Sequence, residues 1–334
     1  MRMDVHTKDK TYPIIIERGV LSKVNEYVDK ERFIFIVSDD GVPSTYQECL
    51  LNQFPNSHLK IVKHGEASKS YEVLRSIHEE MLEVNMSRKD LVIALGGGVI
   101  GDLAGFAAAT YMRGIEYINI PTTTLSQIDS SIGGKTAIDL GEYKNCVGAF
   151  WQPSLVLVDL DTLKTLDERN FNNGLAEAVK AGLIKDERIF ELFEEDDYLD
   201  NLEEIIIRSL EMKKDVVEKD ERESGERKLL NFGHTYGHAY ESYYALEEYL
   251  HGECVAMGMM SILDNQDIKD RLEKVLKKLN LPISCEADKE KVCELIKNDK
   301  KADHDKITIV QVDKMGEGHL EEWSMSEIRR KLYE

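Results

Sequence analysis

Three of the nine histidines fall within a short window: His234, His238 and His251. His234 and His238 are four residues apart, so on a helix they project from one face. His251 begins the string His251-Gly252-Glu253, which reads as the entrance to a further helix. Upstream, Glu177 and Lys180 are spaced one helical turn apart in GLAEAVKAG, 174–182. A catalytic zinc takes three protein ligands of His and carboxylate type and keeps one position open. Glu177, His234, His238 and His251 are thus one candidate more than such a site needs, and spacing alone does not say which stands outside it.

A second kind of chemistry is written in LVIALGGGVIGD, an apolar run that enters a glycine-rich turn and then a helix. Glycines let backbone approach a phosphate closely, and the first free N–H groups of the helix attract the anion. The spacing Gly98-Val99-Ile100-Gly101-Asp102 differs from the common GxGxxG pattern. Asp39, just past an earlier apolar run, is placed to accept hydrogen bonds from a ribose. A polar stretch follows another strand: Thr122, Thr123, Thr124, Gln127, Asp129, Ser130, Ser131 and Gly133-Gly134-Lys135, with Arg113, Lys144 and Asn145 nearby. Backbone, hydroxyl and ammonium donors of this density suit convergent anionic groups.

These groups need two kinds of scaffold. Short β-rich runs at 32–38, 59–62, 91–95, 115–120 and 155–158 alternate with helical spacing such as 71–86. That alternation predicts βαβ units: a Rossmann-like α/β N-terminal domain with a parallel sheet. From about residue 170 helical spacing dominates, with long segments at 202–217, 229–249 and 253–263 and a late strand or hairpin at 307–312. The expected organisation is an α/β cofactor-binding domain over 1–170 and a mostly helical, metal-binding C-terminal domain over 171–334.

The 334 residues are 42% hydrophobic and 32% charged, an ordinary globular mixture. A net charge of -20 argues against nucleic acid and anionic membrane surfaces as partners. An anionic substrate would require the basic residues to be gathered locally. Five cysteines without a CxxC pair argue against a disulfide framework or a structural zinc site. The N-terminal stretch is polar, and no apolar run is long enough to span a bilayer. A cytoplasmic protein is expected.

Taken in series, the motifs resemble the 3-dehydroquinate synthase family over nearly the whole chain. They are Gly65-Glu66 with Lys69, GGGVIGDLAGF (96–106), PTT…QIDSSIGGKTA (121–137) and GEYKNCVGAFWQP (141–153). The others are GLAEAVKAG (174–182), GERKLLNFGHTYGHAYE (225–241), HGECVAMGM (251–259) and Asp299-Lys300-Lys301. The resemblance implies a seven-carbon sugar phosphate bearing a keto acid, cyclised with NAD as a recycled oxidant and a divalent metal, zinc or cobalt, as Lewis acid. It implies Glu177, His234 and His251 as metal ligands. His238 joins Lys135, Asn145 and Asn231 as donors to the substrate phosphate, with Arg113 reaching it from a second copy in a homodimer. Lys213, Arg227 and one of Lys300 or Lys301 would hold the substrate carboxylate, and Asp129 and Lys180 its hydroxyls. Asp39, Glu66, Lys69, Gly98, Val99, Ile100, Gly101, Asp102, Thr122, Thr123, Lys135 and Lys144 would bind NAD.

The chain departs from the family's pattern at His64 and Leu250 and is shortened between Met260 and Leu281. Related cyclases of the 2-deoxy-scyllo-inosose and valiolone type share the motif series but act on sugars without a carboxylate. Lys213, Arg227 and the 299–301 segment favour a carboxylate substrate. Polyol dehydrogenases of the wider fold would make net NADH, and the phosphate donors speak against them. A scaffold that had lost catalysis would lack a ligand, and none is missing.

Overall fold

The computed structural model describes residues 1–141, 143–245, 248–299 and 306–333. It divides into two compact units, Met1–Asp167 and Glu168–Glu334.

The first unit is built on nine strands: β1 Arg2–His6, β2 Thr11–Ile16, β3 Ile34–Asp39, β4 Ser57–Val62, β5 Leu91–Gly96, β6 Glu116–Pro121, β7 Lys135–Leu140, β8 Tyr143–Phe150 and β9 Leu155–Val158. Helices α1 Ser44–Leu51, α2 Tyr71–Glu83 and α3 Gly98–Thr110 lie between them. Seven strands form one sheet in the order β1-β2-β9-β6-β5-β3-β4, parallel except for the antiparallel edge pair β1–β2. Along β3 the side chains alternate: Phe35 and Val37 enter one core cluster, with α2 and α3, while Ile34 and Ile36 enter the other, with α1. Both faces are covered, which is why these strands read as continuous apolar runs.

The parallel α/β sheet expected from the sequence is present. Taking β3, β4, β5, β6 and β9 as strands one to five, their spatial order is 2-1-3-4-5, the flavodoxin-like member of the doubly wound class. Its switch point lies between β3 and β5, so the carboxyl ends that flank the ligand crevice in such sheets carry Asp39 and Gly96-Gly97-Gly98. The polar stretch past β6 is more structured than its composition suggests. It contains a π-helical turn, Ser126–Ser130, and then the β7–β8 hairpin.

The second unit carries α4 Glu168–Ile184, α5 Glu187–Glu194, α6 Leu202–Lys219, α7 His234–Tyr243, α8 His251–Ile262, α9 Gln266–Lys278, α10 Lys289–Asp299 and α11 Met325–Tyr333, with one hairpin, β10 Lys306–Lys314 and β11 Glu317–Ser324. The helical spacing at 229–249 resolves into less than one helix: a 3₁₀ segment ends at Asn231, and α7 begins only after Gly233. Gly233 has φ 76, and a Cβ on it would lie 2.7 Å from Met259 Cγ. The break therefore lets α7 start close against α8. No helix among the described residues is long and apolar enough to cross a membrane.

Candidate active site

In the first unit Asp39, residues 98–102, Thr122 and Thr123 lie at the carboxyl ends of β3, β5 and β6. Asp39 closes β3, and its Oδ1 accepts the backbone N–H of Gly41 at 2.8 Å and of Val42 at 3.1 Å. Burial raises its pKa above the ordinary carboxylate value despite those two bonds. After β5, α3 starts at Gly98 with no acidic residue in its first turn and no described side chain capping it. The N–H groups there keep the local positive potential of a helix start. A Cβ on Gly98 would sit 3.0 Å from Ser130 Oγ, and one on Gly97 would sit 3.0 Å from Thr123 Cγ2. Ser130 Oγ is itself sealed from solvent with no hydrogen-bond partner among the described residues. An uncapped helix start, a space that a Cβ would narrow and an orphaned hydroxyl fit the diphosphate of a dinucleotide.

Thr122 donates its N–H to Gly96 O at 2.9 Å, tying β6 to the glycine turn. Thr123 Oγ1 and Ser126 Oγ are 2.8 Å apart. Gln127 is structural: its Nε2 donates to Pro121 O, Asp159 O and Thr162 Oγ1. Asp129 lies half-buried in the same π-helical turn.

Lys69 is almost fully buried and donates to Asp102 Oδ2 at 2.8 Å, with Glu66 Oε1 at 3.3 Å and Asn145 Oδ1 also in contact. Burial lifts the Asp102 pKa to about 6 against the opposing pull of Lys69. Burial would depress Lys69, but Asp102 and Glu66 outweigh it and raise its pKa. Asn145, on β8 but with a left-handed φ of 54, also donates its N–H to Asp139 Oδ1 at 2.7 Å. The structure therefore joins Glu66, Lys69, Asp102 and Asn145 in one network, although the sequence reading divides them between cofactor and phosphate. Lys135 and Lys144 are exposed on the β7–β8 hairpin. Arg113 is exposed in a turn where Met112, Arg113 and Gly114 all have positive φ.

The second unit holds the histidines. Among the described residues Glu177, His234 and His251 form a group whose ligand atoms all lie within 4.8 Å of one another. Glu177 projects from α4, and its Oε1 lies 3.7 Å from His234 Nε2 and 3.6 Å from His251 Nε2. Both carboxylate oxygens are sealed from water, and Oε1 makes no hydrogen bond to a described residue. Lys180, one turn along α4, pairs with Oε2 and donates to Leu230 O at 2.6 Å. Burial would raise the Glu177 pKa, but Lys180, His234 and His251 hold it well below the usual range. Burial, and then the charge of Lys180, hold the His234 pKa well below the ordinary imidazole value. Burial opposes charge on His251 too, yet its contacts with Glu177 and Glu241 prevail and push its pKa up to about 10. A buried carboxylate whose Oε1 has no hydrogen bond and faces two imidazole Nε2 atoms fits a divalent ion of zinc or cobalt type.

His238 packs against His234 with ring centroids 5.2 Å apart but lies outside that three-residue group. Lys213 and Arg227, large cations in an acidic chain, are both buried in this unit. Asp220 organises the Arg227 loop by accepting the N–H of Ser224, Gly225 and Arg227. Asn231 Nδ2 donates to Glu223 Oε1 at 2.5 Å, and Glu223 has φ 61. Sequence reasoning passed over Glu223, in an acidic loop, and Glu241, two turns beyond His234 on α7. The second was legible from its spacing. Lys300 and Lys301 lie outside the described residues.

The family model for the N-terminal part of 3-dehydroquinate synthase matches residues 59–173, and that for its C-terminal part matches 174–302. The chain belongs to the 3-dehydroquinate synthase family. A 3-dehydroquinate synthase of Clostridium beijerinckii is 42% identical over 337 residues, covering 95% of this chain and 96% of that protein. Among solved structures, 2-epi-5-epi-valiolone synthase of Streptomyces hygroscopicus subsp. jinggangensis, with NAD+ and Zn2+ bound, aligns with a TM-score of 0.88 at 27% identity over 98% of this chain and 97% of that one. A 2-deoxy-scyllo-inosose synthase complexed with carbaglucose-6-phosphate, NAD+ and Co2+ aligns with a TM-score of 0.87 at 23% identity over 99% of both chains; that likeness is one of fold.

Proposed function

We propose that this member of the 3-dehydroquinate synthase family converts 3-deoxy-D-arabino-heptulosonate 7-phosphate to 3-dehydroquinate and phosphate, as a lyase dependent on NAD and a divalent metal. The observation that carries the reading is the buried carboxylate of Glu177, whose Oε1 faces His234 and His251 without a hydrogen bond, in a unit that also buries Lys213 and Arg227.

When bound, the divalent ion supplies Lewis acidity toward substrate oxygens, and NAD supplies a hydride acceptor that later returns the hydride. Glu177, His234 and His251 would hold the ion. Lys213 and Arg227, with Lys300 or Lys301, would bind the substrate carboxylate, a demand met by cations whose burial strengthens their fields. His238, Asn231, Lys135 and Asn145 would bind the phosphate and orient it for departure. Asp129 and Lys180 would hold ring hydroxyls. Asp39 would accept the ribose hydroxyls of NAD, while Glu66, Lys69, the 98–102 turn, Thr122, Thr123 and Lys144 would position its diphosphate and nicotinamide halves. Arg113, exposed on its strained turn, would serve the site of a second copy in a cytoplasmic homodimer.

The test supplies metal-stripped protein with NAD and the heptulosonate phosphate, adds zinc or cobalt, and follows phosphate and 3-dehydroquinate together. Equal, metal-dependent formation of both without net NADH is expected, and Glu177→Ala should abolish it. Turnover of glucose 6-phosphate or sedoheptulose 7-phosphate instead would move the chain to another cyclase class, and stoichiometric NADH would make it a dehydrogenase.

A further inference from the structure

Helix α7 presents His234, His238 and Glu241 at positions i, i+4 and i+7, one face over two turns. Glu241 is buried, and its Oε1 lies 2.5 Å from His251 Nδ1. A carboxylate only accepts hydrogen bonds, so Nδ1 must be the donor. The proton is then fixed on Nδ1, and Nε2 is the ring atom directed at Glu177 Oε1, 3.6 Å away. His234 is held in the same sense by a different partner. Its Nδ1 lies 3.0 Å from the carbonyl oxygen of Phe232, which leaves its Nε2 facing Glu177 at 3.7 Å.

The two imidazoles thus share an orientation but not the charge of the group behind them. The acceptor behind His234 is a neutral backbone carbonyl. Behind His251 it is a carboxylate, which both orients the ring and raises the basicity of the opposite nitrogen. His251 needs this more, because its side chain is 32% exposed against 13% for His234. We infer that Glu241 is a positioning residue for the metal: it locks the tautomer and ring plane of His251 and strengthens that ligand through hydrogen bonding, without touching the ion. The inference rests on the reading of Glu177, His234 and His251 as metal ligands.

The experiment measures zinc affinity of the metal-stripped full chain by competition with a chromogenic chelator, for wild type, Glu241→Gln and Glu241→Ala. The visible spectrum of each cobalt-loaded protein and its thermal midpoint are recorded alongside. Glu241→Gln keeps an oxygen that can accept from Nδ1 but loses the charge, so Kd should rise by about tenfold; Glu241→Ala loses both, for about 10- to 100-fold. The cobalt bands should shift in the same order. Wild-type zinc affinity and unchanged cobalt bands in Glu241→Gln and in any folded Glu241→Ala would overturn the inference, even if the thermal midpoint fell. Should Glu241→Ala fail to fold, Glu241→Gln decides alone. Failure of the wild-type protein to bind zinc would overturn the metal reading itself, and this inference with it.

Discussion

Asn173 Oδ1 accepts the backbone N–H of Gly252 at 2.7 Å and that of Glu253 at 3.3 Å. Asn173 stands one turn before Glu177 on α4, and Gly252 follows His251 at the start of α8. One amide oxygen therefore fixes the helix bearing the carboxylate ligand to the helix bearing an imidazole ligand, and caps α8 across the chain rather than from its own N-cap, which is Leu250. Asn173→Ala should leave two buried N–H groups without their acceptor, a loss of about 1–3 kcal/mol, and weaken zinc binding as well. Urea unfolding and chelator competition check the two effects. Gly252→Ala should be worse, because its Cβ would lie 1.9 Å from Asn173 O.

The Glu177–Lys180 pair is buried at both ends. Removing one member of such a pair leaves an uncompensated charge, at a cost of about 3–5 kcal/mol. Glu177→Ala should therefore destabilise the metal-free protein as well as abolish zinc binding. Lys180 keeps its bond to Leu230 O, which places the expected loss toward the lower end of that range. A metal-free thermal midpoint equal to that of wild type would contradict this account.

Much of this was legible in the sequence because the features are local. The β3 and β5 runs, the glycine turn and the His234/His238 spacing all follow from period and composition. What escaped depends on contacts distant along the chain. The β7–β8 hairpin is held by cross-strand pairing of polar, glycine-containing segments, which carry little strand signal. Asn173 looks like any helix asparagine until Gly252 is brought to it, 79 residues away. The left-handed Gly233 was visible only as a glycine beside a histidine, so the residues before it read as continuous helix.

Gly98→Ala separates binding from stability. No positive φ forbids a side chain there, and alanine favours a helix, so the folding free energy should change by less than about 1 kcal/mol. The new Cβ would nevertheless come within 3.0 Å of Ser130 Oγ, in the space proposed for the NAD diphosphate. A tenfold rise in the NAD Kd, about 1.4 kcal/mol, is expected by titration calorimetry. Unchanged NAD affinity would remove the turn from the cofactor site.

Asp102 gives a pH dependence whose sign is fixed by its raised pKa. Burial lifts it from 3.8 to about 6, the neighbouring Lys69 notwithstanding. Between those two values the folded protein binds a proton that the unfolded chain does not, so this group's contribution to stability falls as pH rises through the window. Asp102→Asn cannot titrate. The thermal midpoint of wild type minus that of Asp102→Asn should therefore decrease from pH 4 to pH 6 and level off above it, while contributions from other carboxylates, Asp39 included, largely cancel. The side chain retains 22% exposure, so solvent screening will make the slope shallower than full burial would give. A difference that stays flat across the window, or one that grows with pH, would mean that Lys69 holds Asp102 ionised and that attraction, not burial, sets its charge.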